Sequence, residues 1–470
     1  MYNAYITRIK NLHKHPNADR LQIGECFGNA IIVSMDYEDN QLGIYFPSDG
    51  QLSVEFAEAN NLLRKKDENG NNIGGYMDPD KRNVTAIKLR GEKSDGLFLP
   101  LKSLESFGDI TTLREGDRID NFNGHEICCK YIPRRNVRHG HPSGGNKTRK
   151  HKVPVAPLFS EHADTEQLAY NLGAFKPGDE IEITLKMHGT SQRTGYLPVL
   201  KGYKRTLIDK IFRREGKPIY DWGYVSGTRR TVLENFDGGY YGSNEFREAH
   251  SKFFEGKLNK GEEIFYEVVG FTHTGASIMA TCSNKKLNDK EFVKQYGEET
   301  VFSYGCEPES FITQKVVRID TIEEERVPNP IPQSDIYVYR MTMTNEDGFV
   351  VEYTPDFMRY RCEQMGAKTV PVFWKGYLGG NNCPYADECT KEECNVGECV
   401  KNVAEEYYDG PDPIGKTHIR EGVVVRILNR PKFCAYKHKN WFFKALEGIV
   451  KVEAETPDIE EAESIENDTE

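Results

Sequence analysis

Apolar residues recur at every second position through much of this 470-residue chain, and stretches at helical spacing are few. Ile181, Ile183 and Leu185 alternate with Glu182 and Thr184, as in a strand with one buried face. The run Ile336-Tyr337-Val338-Tyr339-Arg340-Met341-Thr342 alternates in the same way, and Glu263 to Gly270 is an apolar strand interrupted by Glu267. In the first 135 residues the pattern predicts short strands at Tyr2–Ile9, Gln22–Phe27, Ala30–Asp36, Gln41–Phe46, Thr85–Leu89 and Gly96–Pro100. Their even spacing without long helices predicts a small closed β-barrel. Asp164 to Leu172 reads as a short helix capped by Gly173, and Pro177-Gly178 turns the chain into the strand that ends at Leu185. From there strands alternate with few helices, so the expected class is α+β.

Length and charge refine that picture. A chain of 470 residues has room for two or three domains and a sizeable core. No signal peptide and no apolar run of membrane-spanning length is seen, so a cytoplasmic protein without membrane association is expected. Eleven cysteines, an odd number, point to reduced thiols or metal rather than a disulfide frame.

The net charge of −11 argues against a nucleic-acid partner until its distribution is considered. Nine acidic residues and no Lys or Arg lie between Glu453 and Glu470, which leaves −11 + 9 = −2 for the rest. That tail has the composition of a solvated, disordered segment. Between Arg134 and Phe159 the balance reverses, with Arg134, Arg135, Arg138, Lys147, Arg149, Lys150 and Lys152 and no acid. Such a segment serves as a linker, grips phosphate by counterion release, or both. The expected organisation is therefore residues 1–135 as a barrel, 136–158 as a basic linker, 159–452 as the principal domain and 453–470 as the tail.

Lys186 carries the first candidate chemistry. It sits where its strand runs out, before His188-Gly189-Thr190-Ser191, so its amine is aimed by a rigid element. A neutral lysine amine so placed is a nucleophile. An ordinary exposed lysine before a turn fits equally well locally, and later stretches decide between them.

Lys186-Met187-His188-Gly189 resembles motif I of the covalent nucleotidyltransferases, which include ATP-dependent polynucleotide ligases and mRNA capping enzymes. In that superfamily the lysine forms a lysyl–NMP intermediate, and histidine in the third place resembles the RNA ligases. About forty residues on, Ser226-Gly227-Thr228-Arg229 resembles the motif whose arginine, here Arg229, contacts the sugar or the nucleic-acid end. Glu263 to Gly270 resembles motif III, which implies that Glu267 lies near the ribose. Ile336 to Thr342 resembles motif IIIa, in which an aromatic stacks on adenine. Tyr339 is assigned that role, with Tyr337 the alternative, because Arg340 stands where the family has an acid. Arg420-Glu421-Gly422-Val423-Val424-Val425 resembles motif IV, in which Glu421 offers a hard oxygen to Mg²⁺ or Mn²⁺. Ala435-Tyr436-Lys437-His438-Lys439 resembles motif V. Its two lysines at period two point the same way, toward the phosphate charge that develops as pyrophosphate leaves. The five numbered motifs, I, III, IIIa, IV and V, occur in order over about 260 residues.

Two further resemblances concern the first domain. His15-Pro16-Asn17-Ala18-Asp19 is similar to the signature of tRNA-binding OB-fold modules. Ile44-Tyr45-Phe46-Pro47-Ser48-Asp49-Gly50 resembles the N-terminal domain of a Deinococcus-type RNA-ligase family. Together the resemblances imply an N-terminal OB-like β-barrel followed by a nucleotidyltransferase (ATP-grasp-like ligase) domain of antiparallel sheets and helices. They imply an ATP-dependent RNA ligase that joins 3′-OH and 5′-phosphate ends through lysyl-AMP at Lys186. His188, Arg229, Glu267, Tyr339 and Glu421 would bind the nucleotide, and Lys437 and Lys439 would assist catalysis. ATP and Mg²⁺ or Mn²⁺ would be required, RNA ends would be the partner, and a monomer is expected. The chain passes from motif V into its acidic tail with no further OB domain, which favours RNA ligase over DNA ligase and capping enzyme. A non-catalytic RNA-binding protein and a GTP-using capping-type enzyme are the alternatives.

Two other patterns need a reading. Gly410-Pro411-Asp412-Pro413-Ile414-Gly415-Lys416-Thr417 satisfies the phosphate-loop pattern literally, but two of its variable residues are prolines without N–H groups, and no apolar strand precedes it. It is read as coincidence. Cys383, Cys389, Cys394 and Cys399 are spaced for either a structural Zn²⁺ or reduced thiols.

Overall fold

Short alternating runs near the N-terminus form strands at nearly the expected places in the computed structural model. It describes residues 2–131 except 67–71, and 153–452 except 160, 163–164, 208, 210–211, 213–215, 230, 237–243, 309–312, 318–323, 329–332, 380–394 and 447–449. The basic stretch from Arg134 to Lys152, the acidic tail, and Cys383, Cys389 and Cys394 lie outside the described residues. The chain divides into two units: Met1–Val137 with Lys285–Lys290 and Lys444–Glu470, and Arg138–Asn284 with Glu291–Phe443.

In the first unit, β1 (Ala4–Arg8), β2 (Lys10–Lys14), β3 (Leu21–Cys26), β4 (Asn29–Ser34) and β5 (Leu42–Phe46) are followed by α1 (Val54–Ala59), β6 (Ala86–Leu89), β7 (Glu92–Asp95), β8 (Leu97–Pro100) and β9 (Arg118–Ile119). Ser53 caps α1 by accepting from the N–H of Phe56. Buried Ile6, Ile44, Phe46, Phe56 and Phe107 form the core. The closed barrel expected from the sequence is not what forms. Among the described residues the strands pair as open sheets, including one of order β8-β5-β1-β9 and one of order β2-β3-β4. Side chains stand where backbone pairing would be needed to close a ring. The N–H of Ile32 in β4 donates to Ser94 Oγ (3.0 Å), and Tyr37 Oη donates to Phe98 O in β8 (3.5 Å).

His15 is buried against this unit: its Nδ1 accepts from the N–H of Asn17 (3.0 Å), and its Nε2 lies 3.3 Å from Leu89 O. Asn17 Nδ2 donates to Arg90 O (2.8 Å). The polar groups of the His15–Asp19 signature thus tie a loop to the β6–β7 turn.

The second unit is built on two sheets. β10 (Glu180–Leu185) leads through Lys186 to β11 (Thr190–Lys204), then β12 (Lys217–Gly227), α2 (Glu245–Phe253), β13 (Glu262–Gly270), β14 (Ser334–Thr344), β15 (Val350–Glu352), α3 (Pro355–Met365), β16 (Val372–Tyr377), α4 (Val396–Tyr408), β17 (Gly422–Ile427) and β18 (Ala435–Lys439). β18, β17, β10 and β16 lie side by side in one sheet, and β12, β11, β13, β14 and β15 in the other, nearly all antiparallel. Ile181, Ile183, Val423 and Val425 pack with Val400 and Val403 of α4, each fully or almost fully buried. Burying such side chains contributes about 1.5–3 kcal/mol apiece. Thr354 caps α3 with Pro355 in its first turn, and Gly366 ends it at φ 72°.

The helix expected over Asp164–Leu172 is replaced by a strand and two 3₁₀ turns. Glu166–Gln167 pairs in parallel with Tyr436 and Lys437, and turns follow at Leu168–Tyr170 and Leu172–Ala174. Leu168 and Leu172 have helical spacing, but the open edge of β18 captures the preceding backbone. Among the described residues no helix is long and apolar enough to cross a membrane.

Candidate active site

Lys186 is fixed by the two strands beside it. Its N–H donates to Gly422 O (3.0 Å), which extends the β10–β17 ladder by one residue. Glu421 lies just before β17 and is held by Asn440 N–H donating to its carbonyl (2.9 Å). Gly422 pairs with Lys439 across β17 and β18. Lys186 Nζ lies 2.6 Å from Glu421 Oε1, and Lys439 Nζ lies 3.1 Å from the same oxygen. The Glu421 side chain is 3% exposed, against 21% for Lys186 and 15% for Lys439. Lys437 pairs with Val424 on the same face of β18, two residues before Lys439. Gly422 is required here: its φ is 142°, and a Cβ would stand 2.1 Å from His438 O.

His188 continues the cluster. Its ring meets Phe302 and Phe443 edge-on, at centroid distances of 4.5 and 4.8 Å. Its N–H donates to Tyr304 Oη (2.7 Å), and its Nδ1 is 3.5 Å from Glu421 Oε2. Behind it His418 is fully buried, with its ring against Phe302 and Tyr304.

Glu267 enters from β13. Gly189 lets β11 approach that strand, since a Cβ there would lie 2.5 Å from Val268 O and 2.8 Å from Glu267 Cγ. Ser191 stands opposite Glu267 in the ladder, and its Oγ is 3.1 Å from Tyr339 Oη. Tyr337 has other partners: its Oη donates to Asp335 Oδ2 and Lys368 lies over its ring. Arg247 of α2 is buried and donates to Ser191 O (3.2 Å), Gln192 Oε1 (3.4 Å) and Thr190 Oγ1. It therefore clamps the strand that leaves Lys186.

The electrostatics divide the two carboxyls. Burial would raise the Glu421 carboxyl, but Lys186 and Lys439, with His188, hold it well below the usual range. Glu267 is pushed up to about 7, chiefly by burial, with Lys186 opposing the shift and Glu421 adding to it. Arg229 and Arg247 act on Glu267 as further cations. One carboxylate is thus firmly ionised and the other titrates near neutrality.

Arg340, in the place of the family's acid, is accounted for by its partners. Its Nε donates to both Glu352 oxygens (3.0 Å each), and its guanidinium lies between the rings of Phe265 and Phe433, 4.6 Å from each centroid. Its Nη1 meets His162 Nδ1 at 3.0 Å, and the His162 ring packs on Tyr339.

The phosphate-loop pattern does not form a phosphate loop. The N–H groups of Ile414 and Gly415 are spent on Asp412 Oδ2, at 3.1 and 2.7 Å. Cys399 is buried on the apolar face of α4, and among the described residues no set of three or more His, Cys, Asp or Glu could hold a metal. Glu421 Oε2 is buried with His188 Nδ1 at 3.5 Å and no closer hydrogen bond, and it would offer one hard oxygen to a divalent cation whose other ligands would come from phosphate and water.

Lys186, His188, Glu421 and Lys439 therefore converge, with Glu267 close enough to feel Lys186 and Glu421, and several neighbours were not named from the sequence: Arg247, Tyr304, His162, Phe302 and His418. The only signal for Arg247 was the polar set Arg247, His250 and Ser251 on what becomes the buried face of α2.

No family model and no curated protein matches the chain. Solved structures of Naegleria gruberi RNA ligase do. One with pyrophosphate aligns at TM-score 0.51 and 14% identity, over 94% of this chain and 97% of that one. Two point variants with ATP and manganese align at TM-score 0.52 and 15% identity, over 95% of this chain and 99% and 98% of theirs. At such identity the likeness establishes a shared fold along nearly the whole chain.

Proposed function

We propose that this chain is an ATP-dependent RNA ligase, a phosphodiester-forming nucleotidyltransferase that works through a lysyl-AMP intermediate. The observation that carries the reading is the convergence of Lys186, Lys439 and Glu421 from three separate stretches of sequence on one carboxylate oxygen. The likeness in fold to RNA ligase structures that hold ATP and manganese, or pyrophosphate, supports it. A ligase of the Deinococcus type is the form of this reading that the resembling motif strings, Ile44 to Gly50 among them, support.

In this reading the unprotonated Lys186 amine attacks the α-phosphorus of ATP. An N–P bond forms, the P–O bond to the β-phosphate breaks, and pyrophosphate leaves. The adenylate then passes to an RNA 5′-phosphate, and a 3′-OH attacks that phosphate to seal the strand and release AMP. Lys437 and Lys439 offset the charge that builds on the α-phosphate. Glu267 and Arg229 hold the sugar, Tyr339 lies against the adenine, and His188 positions Glu421. A divalent cation bound by Glu421 and the triphosphate would neutralise phosphate charge.

Residues 1–135 form the OB-type RNA-binding domain of the proposal, 136–158 the basic linker, 159–452 the catalytic domain and 453–470 an acidic tail. A cytoplasmic monomer completes it. Zinc at Cys383, Cys389, Cys394 and Cys399 gains no support from the buried position of Cys399 and is left out.

Intact-mass measurement after incubation with ATP and Mg²⁺ or Mn²⁺ tests the proposal. An AMP adduct on Lys186 is expected, and absence of any adduct overturns the reading. An adduct with GTP in preference to ATP would indicate a capping-type enzyme. Deletion of residues 1–135 is expected to spare the adduct and weaken end joining.

A further inference from the structure

In the second unit β11 and β12 outrun their sheet. β13 pairs with β11 only from Thr190 to Gly195, whereas β12 pairs with it as far as Lys204. Residues 197–204 and 217–223 therefore form a two-stranded ribbon. Strand rise carries its outer end roughly 40 Å from Thr190.

Near its root one face of the ribbon is covered. Leu197, Val199 and Val225 pack there with Ala156 and Phe159. Leu200 N–H donates to Val155 O (2.7 Å), and Tyr220 Oη donates to Pro154 O (2.9 Å). The residues that follow the basic stretch in sequence are thus tied to this ribbon. Toward the tip the same face turns cationic. Alternation puts Lys217 on the side of Val225, and Lys204 stands directly opposite Lys217. Lys201 is the unpaired residue of a bulge between Leu200 and Gly202. Its Nζ lies over Gly223, 2.9 Å from where a Cβ would stand. All three lysines are exposed, and among the described residues none forms an ion pair. Asp221 lies on this face too, with one oxygen accepting from Trp222 N–H (2.8 Å). Like charges directly opposite one another destabilise a ladder, so the ribbon carries a repulsion that its fold does not need. A row of phosphates would relieve it.

We infer that the outer half of the β11–β12 ribbon holds the sugar–phosphate backbone of an RNA strand, with phosphates at Lys201, Lys204 and Lys217. The choice of RNA as the polyanion rests on the RNA-ligase reading. Within that reading the ribbon grips the substrate at a distance from its reacting end, since β11 runs outward from the corner that carries Lys186. Such contacts fix the strand in place without reading its sequence. A row of cations strung along a ribbon fits a linear polyanion. An anionic lipid surface, which Leu207 (79% exposed) would favour, would be met by the tip alone.

The test measures binding of the full chain to a 5′-phosphorylated single-stranded oligouridylate between about 50 and 200 mM KCl. Losing three phosphate contacts to a single strand makes the slope of log affinity against log salt shallower by about 2. The combined variant Lys201→Gln, Lys204→Gln and Lys217→Gln should show that change. Over this range the parent's affinity should drop roughly twentyfold further than the variant's. The variant's melting temperature should be level or higher, because an opposed pair of like charges is gone. Asp221→Lys adds a cation to the same face and should steepen the slope by about 0.7. Unchanged slopes in both variants overturn the inference, and so does a parent chain that leaves the oligomer unbound at the lowest salt. Phosphatidylserine vesicles are run beside the RNA. If the combined variant loses the vesicles and keeps the RNA slope, the partner is a lipid surface and the inference fails. AMP-adduct formation is measured on the same samples. An adduct with unchanged slopes sinks only the ribbon's role, and changed slopes without an adduct sink only the ligase reading.

Discussion

Lys186 Nζ and Glu421 Oε1 are 2.6 Å apart at the end of two neighbouring antiparallel strands, and that carboxylate is almost wholly buried. The amine is therefore held in one place before any nucleotide arrives. Lys186→Ala is expected to reduce the AMP adduct by at least about a thousandfold, as for loss of a nucleophile, with the fold retained. Labelling with α-labelled ATP and a melting curve on the same sample check both parts.

Glu267 supplies a pH prediction. Its carboxyl titrates at about 7 in the folded chain against an ordinary value of 4.5. The folded state therefore binds this proton more tightly than the unfolded chain does. Its stabilising effect is complete below pH 4.5 and is lost as pH rises through 7. Glu267→Gln should leave the melting temperature unchanged at pH 4.5 and raise it on the order of 5 °C at pH 8. The same variant should slow adenylation, since the charge beside Lys186 is gone. Equal melting temperatures at pH 8 would contradict the assigned shift.

Arg340 and Glu352 predict a stability effect outside the reacting groups. Each side chain is 12% exposed, and their pair is flanked by Phe265 and Phe433. Glu352→Ala leaves a buried guanidinium with one partner fewer and should cost about 3–5 kcal/mol. Denaturant unfolding measures it, and Arg340→Met in the same chain should recover part of the loss.

Gly422→Ala should act through its neighbour. The added methyl group meets His438 O at 2.1 Å, so the β17–β18 ladder must shift, and Glu421 with it. A displacement of about 1 Å at such a site costs on the order of a hundredfold in rate. The adduct rate should fall accordingly, while circular dichroism shows the sheets intact.

Arg247→Lys keeps the charge and loses the fork that spans Thr190, Ser191 and Gln192. A cost of about 1–3 kcal/mol in stability is expected, read by thermal melting.

The clustered groups were legible because each sits in a short string of its own: Lys186 before a turn, Glu421 before three valines, Lys439 two residues after Lys437. Their supports were not, because they come from far along the chain. Arg247 lies 57 residues from Thr190, and Tyr304 lies 116 from His188. A register shift between Phe265 and Tyr266 sets Tyr337 opposite Glu267 and leaves Tyr339 without a partner residue on β13, which no alternation of side chains reveals. Six strands of the first unit were read to within a few residues, while β2, β7 and β9, which lack an apolar alternation, were missed, and the arrangement was not read either. Whether a ring closes depends on which edges meet, and Ser94 and Tyr37 occupy edges that a barrel would pair through backbone. The His15–Asp19 string was legible as a signature, but the burial of His15 beside Leu89 was not.

β10 belongs to one sheet and β11 to the other, and residues 186–189 are the whole of the chain between them. Lys186 is thus carried on the link between the two sheets, not on the flank of either. A change in the angle at which those layers splay turns the amine by leverage. Any agent that wedges them apart should abolish the proposed AMP adduct without touching Lys186 or Glu421.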